Sequence, residues 1–313
     1  MDVPYHLPIN AVWFITGCSS GIGQSLAQHI ATSAPSSNNR LVATARNLSS
    51  LSSPIIPDDP SRILKLSLDV TSPSAINAAL EAAVSKFGRV DVVVNNAGYG
   101  QKGDTEAADD AQSRAVMDTN FWGMVDVTKK AIGIFRDVNA QTGGQGQKGG
   151  VVVNISSIGG WAGFPGQAFY HASKFAMEGF TESVARELPD AWNIHLTNIE
   201  PGGVQTNYVN MLQSNGKRHP AYLDPTFPTN VLMSYVERDE ARRLWAKPSA
   251  LAAAIYYIVA RGEKIPIRLP LGADAWGIIS KDLDDNRKLL DELKDVSFSV
   301  GDENQLEAVG FLQ

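Results

Sequence analysis

The stretch AVWFITGCSSGIGQSLAQHIA, residues 11–31, changes character in its middle. Its first six residues form a short apolar run, rich in β-branched and aromatic side chains, and read as a buried strand. From residue 21 onward Ile22, Leu26 and Ile30 recur at helical spacing. Between the two lie Gly17, Gly21 and Gly23. Glycines at a strand–helix junction permit a tight turn, let the backbone approach a pyrophosphate, and allow close helix–strand packing. The helix that follows offers unpaired N–H groups and the positive end of its dipole to phosphates. The spacing is G-x-x-x-G-x-G, not the G-x-G-x-x-G of the common dinucleotide fingerprint. On this stretch alone, a turn without a ligand stays open.

The alternation continues along the chain. Strands are read at 41–45, 62–70, 90–98 (VDVVVNNAG), 150–157 (GVVVNISS) and 193–203 (NIHLTNIEPGG). KIPIRLPLG, at 264–272, reads as a last strand whose two prolines suit an edge or strand ends. A helix opens at Ser72 as cap and Pro73 in the first turn, carries Ile76, Leu80, Val84 and Phe87, and stops at Gly88. Further helices are expected around 110–138 and 171–188, and a charged amphipathic one at 280–296, lying on the core as a surface helix. SAPSSNNR (33–40) and QTGGQGQKGG (141–150) read as exposed loops. Strands apolar on both faces, alternating with helices, predict an α/β fold: a doubly wound parallel sheet between two helical layers. One domain is expected over residues 1–313, with ligands at the carboxyl ends of the strands.

Composition removes several function classes. The net charge is −6 and there is no basic run, which argues against nucleic acid and anionic membrane as partners. Cys18 is the only cysteine, so no intrachain disulfide can form. The first ten residues show no basic region followed by an apolar core, and the longest apolar stretch, 250–260, is too short to span a bilayer. These features predict a soluble, cytoplasmic protein with no membrane span, and no metal site is read.

One further stretch poses a chemical question. FYHASKFAME, residues 169–178, places Tyr170 and Lys174 four residues apart, hence on one helix face. A free phenol, with a pKa of about 10, is a poor base near neutrality, and a neighbouring ammonium favours the phenolate. A lowering by about three pH units would take roughly 4 kcal/mol. The product would be a general acid/base matched to neutral pH. By itself the pair is equally a core-packed tyrosine beside a snorkelling lysine.

Five short motifs now stand in order: TGCSSGIG, NNAG, a serine thirteen residues before a tyrosine, YHASK, and PGGVQT. Together they resemble the short-chain dehydrogenase/reductase family over about residues 10–210. The likeness is greatest to the branch with estradiol 17β-dehydrogenase-like and retinol dehydrogenase-like enzymes. The resemblance implies a single Rossmann-type domain and a catalytic set of Asn120, Ser157, Tyr170 and Lys174. In that set Tyr170 is the general acid/base and Ser157 hydrogen-bonds the reacting oxygen. Lys174 tunes Tyr170 and holds the ribose, and Asn120 supports a water-linked relay. Ser156 would point to the other face of its strand, which leaves Ser157 as the candidate. The resemblance also implies a cofactor site. Its first part is the glycine loop, with Gly17, Ser19, Ser20, Gly21, Ile22 and Gly23. Asp69 and Val70 come at the adenine, and Asn96, Ala97 and Gly98 on the adenosine side. Tyr170, Lys174, Pro201, Gly202, Val204 and Thr206 come around the nicotinamide. Asn95 reads as a brace of the sheet.

The second strand ends in ATARN, with no acidic residue to bind a ribose 2′-hydroxyl. Arg46 can instead pair with a 2′-phosphate, which favours NADP(H). Many NADP-using relatives carry a second basic residue where this chain has Ser20, so an NAD-preferring alcohol dehydrogenase stays open. Residues 207–247 stand where the family keeps its substrate-binding lid. Met211, Tyr222, Phe227, Met233, Tyr235 and Trp245 are candidates there for an apolar substrate wall, as are Trp161 and Phe164 nearer the catalytic residues. Residues 273–313 read as a helical extension. The resemblance implies a homodimer face on the helices at 110–138 and 171–188, which that extension could instead cover. The expected activity is interconversion of a ketone or aldehyde and an alcohol on a bulky, hydrophobic small molecule. The alternative from another class is a nucleotide-binding regulator without turnover, against which the complete Asn-Ser-Tyr-Lys set argues.

Overall fold

Each face of the main sheet has its own core. In β1 (Val12–Ile15), Trp13 and Ile15 enter one apolar cluster while Val12 and Phe14 enter the other, and all four are fully buried. The structure, a computed structural model, describes residues 3–32, 38–52, 55–142, 148–207, 213–214 and 218–310. After β1 come α1 (Gly21–Thr32), β2 (Arg40–Ala45), β3 (Ile63–Ser67), α2 (Pro73–Phe87) and β4 (Val92–Asn95). The chain continues through β5 (Gln101–Lys102), α3 (Asp110–Met117), α4 (Gly123–Gly133), β6 (Gly150–Ile155), α5 (Ala168–Glu187) and β7 (Ile194–Pro201). Then follow β8 (Gln213–Ser214), α6 (Pro228–Glu237), α7 (Asp239–Arg243), α8 (Pro248–Ala260) and β9 (Arg268–Leu271). Last are α9 (Ala273–Glu292), α10 (Lys294–Phe298) and α11 (Glu303–Ala308).

Seven strands form one parallel sheet in the order β3-β2-β1-β4-β6-β7-β9, and β5 pairs separately with β8. Leu26 and Ile30 of α1, with Ala252, Ile255 and Val259 of α8, cover one face. Ile76, Leu80 and Ala83 of α2, Val127 and Ala131 of α4, and Ala185 of α5 cover the other. This is the doubly wound three-layer domain expected from the strand pattern. The order reverses between β1 and β4, and the crevice at their carboxyl ends is the ligand position in such sheets. Among the described residues no helix is long and apolar enough to cross a membrane, and no group of metal-ligating side chains occurs.

Local signals hold where the physics is local. Ser72 Oγ accepts from Ala75 N at 3.3 Å to cap α2, and Gly88 ends that helix with φ 79°. The prolines of the last strand suit β9, which is the edge. Several boundaries differ, and the strands read at 90–98 and 264–272 shorten to β4 and β9. The third strand leaves the sheet at Ser67, and Asp69 folds back to accept from Thr71 N at 2.9 Å. The helical stretch 110–138 is interrupted by π-helical turns at Asp118–Trp122 and Ile134–Val138. The helix expected at 280–296 starts earlier, at Ala273, because Ala275 and Ile279 bury against the domain, whereas Leu283, Leu289 and Leu290 are exposed. Only its first turns lie on the core.

Candidate active site

Two loops wall the crevice. After β1, Gly17 and Gly21 adopt φ 70° and 60°, where L side chains are strained. A Cβ on Gly17 would sit 2.9 Å from Asn96 Nδ2, and one on Gly23 would sit 2.3 Å from the same atom. After β4, Asn96 Nδ2 donates to the carbonyls of Thr16 and Gly17 at 3.0 and 2.9 Å, and Thr16 Oγ1 accepts from Asn96 N and Ala97 N. Asn96 thus ties the loops together, while Asn95 Nδ2 bonds Asn154 Oδ1 at 2.8 Å inside the sheet. The result is a cradle of bare backbone at the N-terminus of α1. A pyrophosphate fits it for two reasons: the close approach needs glycine, and the first-turn amides need acceptors. Ile22 of that loop packs on the core, and Ser19 and Ser20 flank the turn.

At one end of the crevice stand Arg46, just past β2, and Asp69, past β3, both exposed. Bonds from Thr71, helped by Arg46, hold the Asp69 carboxyl below its usual range. Val70 is buried and meets Gly123 so closely that a Cβ there would lie 2.8 Å from Val70 Cγ2. At the other end, Pro201 closes β7 and the loop after it carries Gly202, Val204 and Thr206. A Cβ on Gly21 would lie 3.2 Å from Thr206 Cγ2, so this loop closes against the glycine loop. Asp274, in the first turn of α9, anchors it by accepting from Gly203 N at 2.7 Å.

Between these ends lie the four candidate catalytic residues. Tyr170 and Lys174 share a face of α5, and Lys174 Nζ stands 5.7 Å from the Tyr170 ring centroid. Lys174 is buried and donates to Ile155 O, at the end of β6, at 2.6 Å. Burial draws its pKa down from 10.5 to about 8, against an upward pull from Glu178. Ser157, half-buried just past β6, accepts from Gly159 N at 3.0 Å, which leaves its own hydroxyl proton free to be directed elsewhere. Its neighbour Ser156 is buried. Asn120 is fully buried in the first π turn. Its side chain donates to Tyr99 O and Ser173 Oγ and accepts from Tyr99 N, and Gly98 passes so close that a Cβ would lie 2.9 Å from Asn120 Oδ1. Ser173 Oγ in turn donates to Tyr170 O at 2.6 Å. Asn120 therefore joins the loop after β4 to the turn of α5 that carries Tyr170. His171, between Tyr170 and Ser173, is neutral: burial lowers its pKa to about 4, and its Nδ1 accepts from Phe164 N.

The candidates for an apolar substrate wall do not converge. Tyr222 donates to Glu106, Tyr235 and Phe227 are exposed, and Trp245 packs behind Gly203. Met233 lines a cavity of about 610 Å³ with Lys102, Arg218 and Glu237, to which none of the catalytic candidates contributes. The ion pairs Lys102–Glu237 and Arg218–Asp104 rim it, at 2.8 and 2.7 Å. Met211 lies outside the described residues. Phe164 stands edge-on to His171 at 5.4 Å, and the Trp161 ring lies 4.4 Å under the Arg268 guanidinium. Asp274 was not legible beforehand, since nothing local marks an aspartate that reaches a loop 71 residues away. Glu178 did carry a signal, because it continues the four-residue spacing of Tyr170 and Lys174.

The comparisons with known proteins agree with this geometry. Residues 11–217 match the family described as short chain dehydrogenase. The chain is 43% identical over 297 residues to oxidoreductase calM of Penicillium decumbens, covering 94% of each protein. A short-chain dehydrogenase from Streptomyces avermitilis is 30% identical with a TM-score of 0.76, covering 93% of this chain and 99% of that one. The 3-ketoacyl-(acyl-carrier-protein) reductase from Brucella melitensis, solved with NADH, is 25% identical with a TM-score of 0.66, covering 83% and 96%. A match over most of the chain, joined to the doubly wound sheet, places this protein in the short-chain dehydrogenase family of oxidoreductases.

Proposed function

We propose that this protein is an NADP(H)-dependent oxidoreductase that interconverts a carbonyl and an alcohol on a bulky, hydrophobic molecule. The observation that carries it is the buried Lys174 ammonium, 5.7 Å from the Tyr170 ring and bonded to Ile155 O two residues before Ser157. The dinucleotide, when bound, supplies or accepts hydride. In the reduction direction the Tyr170 hydroxyl gives its proton to the carbonyl oxygen, and the nearby Lys174 charge favours the phenolate left behind. Ser157, its oxygen already accepting from Gly159 N, donates its own hydrogen to the same carbonyl oxygen. Asn120 clamps the loop after β4 to α5 and so fixes Tyr170 against the cofactor face. Residues 207–247 act as the substrate-binding lid.

Arg46 carries the cofactor choice, as the guanidinium past β2 where an acidic residue would select NAD. The NADH found with the Brucella reductase supports NAD preference as the second reading. The test is steady-state oxidation of NADPH and NADH with a panel of ketones. Arg46→Ala should weaken NADPH roughly ten- to a hundredfold and leave NADH little changed. Arg46→Asp should move preference toward NADH. Equal losses for both cofactors would remove the basis for NADP(H). Tight nucleotide binding with no oxidation by any carbonyl would favour a regulator without turnover.

A further inference from the structure

Two glutamates behind the catalytic residues sit where charge is hard to keep. Glu178, on α5, is 3% exposed, and Glu200, near the end of β7, is fully buried. Asn198 and Glu200 share a face of β7, and Asn198 reaches Glu178, so the two carboxyls are neighbours between α5 and β7. Glu178 Oε2 accepts from Asn198 Nδ2 at 2.6 Å and lies 3.7 Å from Arg268. Glu178 Oε1 and both oxygens of Glu200 close no hydrogen bond. Ser156 Oγ and Trp161 Nε1 face the same space without closing a bond. Two carboxylates are both acceptors, so only an added proton can join them. Like charges this close do not both ionise in a dry interior.

The charges around the pair come from three elements. From α5 come Lys174, Glu178, Glu182, Arg186, which bonds Glu182 at 2.6 Å, and the neutral His171. β7 brings Glu200, and β9 brings Arg268, which bonds Glu182 at 2.8 Å. The end of β6 and the turn after it add only the uncharged Ser156 and Trp161. Arg268 and Arg186 answer Glu182 at the rim, which leaves the buried pair with Arg268, 3.7 Å from Glu178, and Lys174 as its cations. Burial raises both glutamates, Glu200 to about 8, and Glu178 pulls Lys174 upward.

We propose that Glu178 and Glu200 share one proton, and that the single charge left on the pair keeps Lys174 protonated beside Tyr170. The pair touches no reacting atom; it positions a charge. Its role toward Tyr170 rests on the catalytic reading above, whereas the shared proton does not.

Urea unfolding between pH 5 and 8 reads the proton without turnover. Folded wild type holds a proton that its unfolded chain releases across that range. Its folding constant should therefore fall by up to tenfold per pH unit relative to Glu200→Gln, in which an amide replaces the protonated carboxyl. Parallel curves would overturn the shared proton. Should Glu200→Gln not fold, infrared spectra of wild type at pH 7 decide instead. A buried carboxylic-acid C=O stretch supports the pair, and its absence overturns it. Lys174 is read by the same unfolding method between pH 7 and 10, as the difference between proteins with lysine and with methionine at 174. In the background Glu178→Gln/Glu200→Gln that difference should move to lower pH by about one unit, because the opposite charge is gone. The alkaline limb of kcat/KM should move with it. An unmoved lysine titration would overturn the role toward Lys174 alone. Failure of the catalytic reading shows separately, as lost turnover in every protein while the unfolding curves still report the proton.

Discussion

Lys174 pays for its place at the site in stability. Burial takes its pKa from 10.5 to about 8, so at neutral pH the fold carries a charge that water would solvate better. Between those values the unfolded chain binds a proton that the folded chain has released, and stability rises with pH across that window. The depression corresponds to about 3 kcal/mol. Lys174→Met removes it but leaves Ile155 O unpaired, at a cost of about 1–3 kcal/mol. The variant should therefore be zero to about 2 kcal/mol more stable than wild type at pH 7, and less stable by pH 10. Urea titrations at both pH values check this, and a difference that ignores pH would contradict a buried, depressed lysine. Tyr170→Phe keeps the ring and removes the proposed proton donor. Turnover should fall about 10²- to 10⁴-fold with cofactor affinity little changed. Near-normal turnover would show that Tyr170 is not the acid.

At the scale of elements, the crevice depends on how loops are held from outside. Asp274, at the start of α9, accepts from Gly203 N, and a Cβ on Gly202 would fall 2.2 Å from its carboxylate. Asp274→Ala should free the loop after β7. The dissociation constant of the dinucleotide should rise about fivefold to thirtyfold, since one charge-assisted bond is worth about 1–2 kcal/mol. Thermal stability should change less, because the aspartate bonds only at the domain edge. Calorimetric titration with NADPH tests it, and unchanged binding would assign Asp274 to helix α9 alone. Gly23→Ala sits at the opposite wall. Its Cβ would meet Asn96 Nδ2 at 2.3 Å and Gly17 O at 2.5 Å, and backbone cannot yield as a flexible side chain can. A loss of about 1–3 kcal/mol in stability is expected by chemical unfolding, together with weakened nucleotide binding.

On the scale of the whole molecule, the domain ends well before the chain does. From Leu283 to Val300 every side chain is exposed, and α10 and α11 bury nothing. Removing everything after Leu293 should shift the melting temperature by no more than about 1–2 °C, the response of a chain that loses only surface contacts. Activity should be unchanged. A drop of ten degrees, or a change of oligomeric state on a sizing column with light scattering, would show that this segment covers apolar surface in solution.

What the sequence determined by itself follows from short-range rules. Strands apolar on both faces can be buried only between two helical layers, and right-handed crossovers then leave the doubly wound sheet. The four-residue spacing of Tyr170 and Lys174 puts them on one helix face wherever that helix goes. Ser72 and Gly88 mark helix ends because capping involves only neighbouring backbone. The tertiary structure decided everything that joins distant segments. The lid aromatics look like one apolar set in the sequence, yet they face Glu106, Gly203 and solvent, because an aromatic side chain is apolar whether it packs on substrate, loop or nothing. Asp274 becomes part of the crevice only because β9 returns beside β7 and starts α9 under the glycines. Glu178 and Glu200 read as ordinary charged residues in the chain. Packing α5 on β7 brings them together away from water, and only there does the low dielectric make two carboxyls compete for one proton.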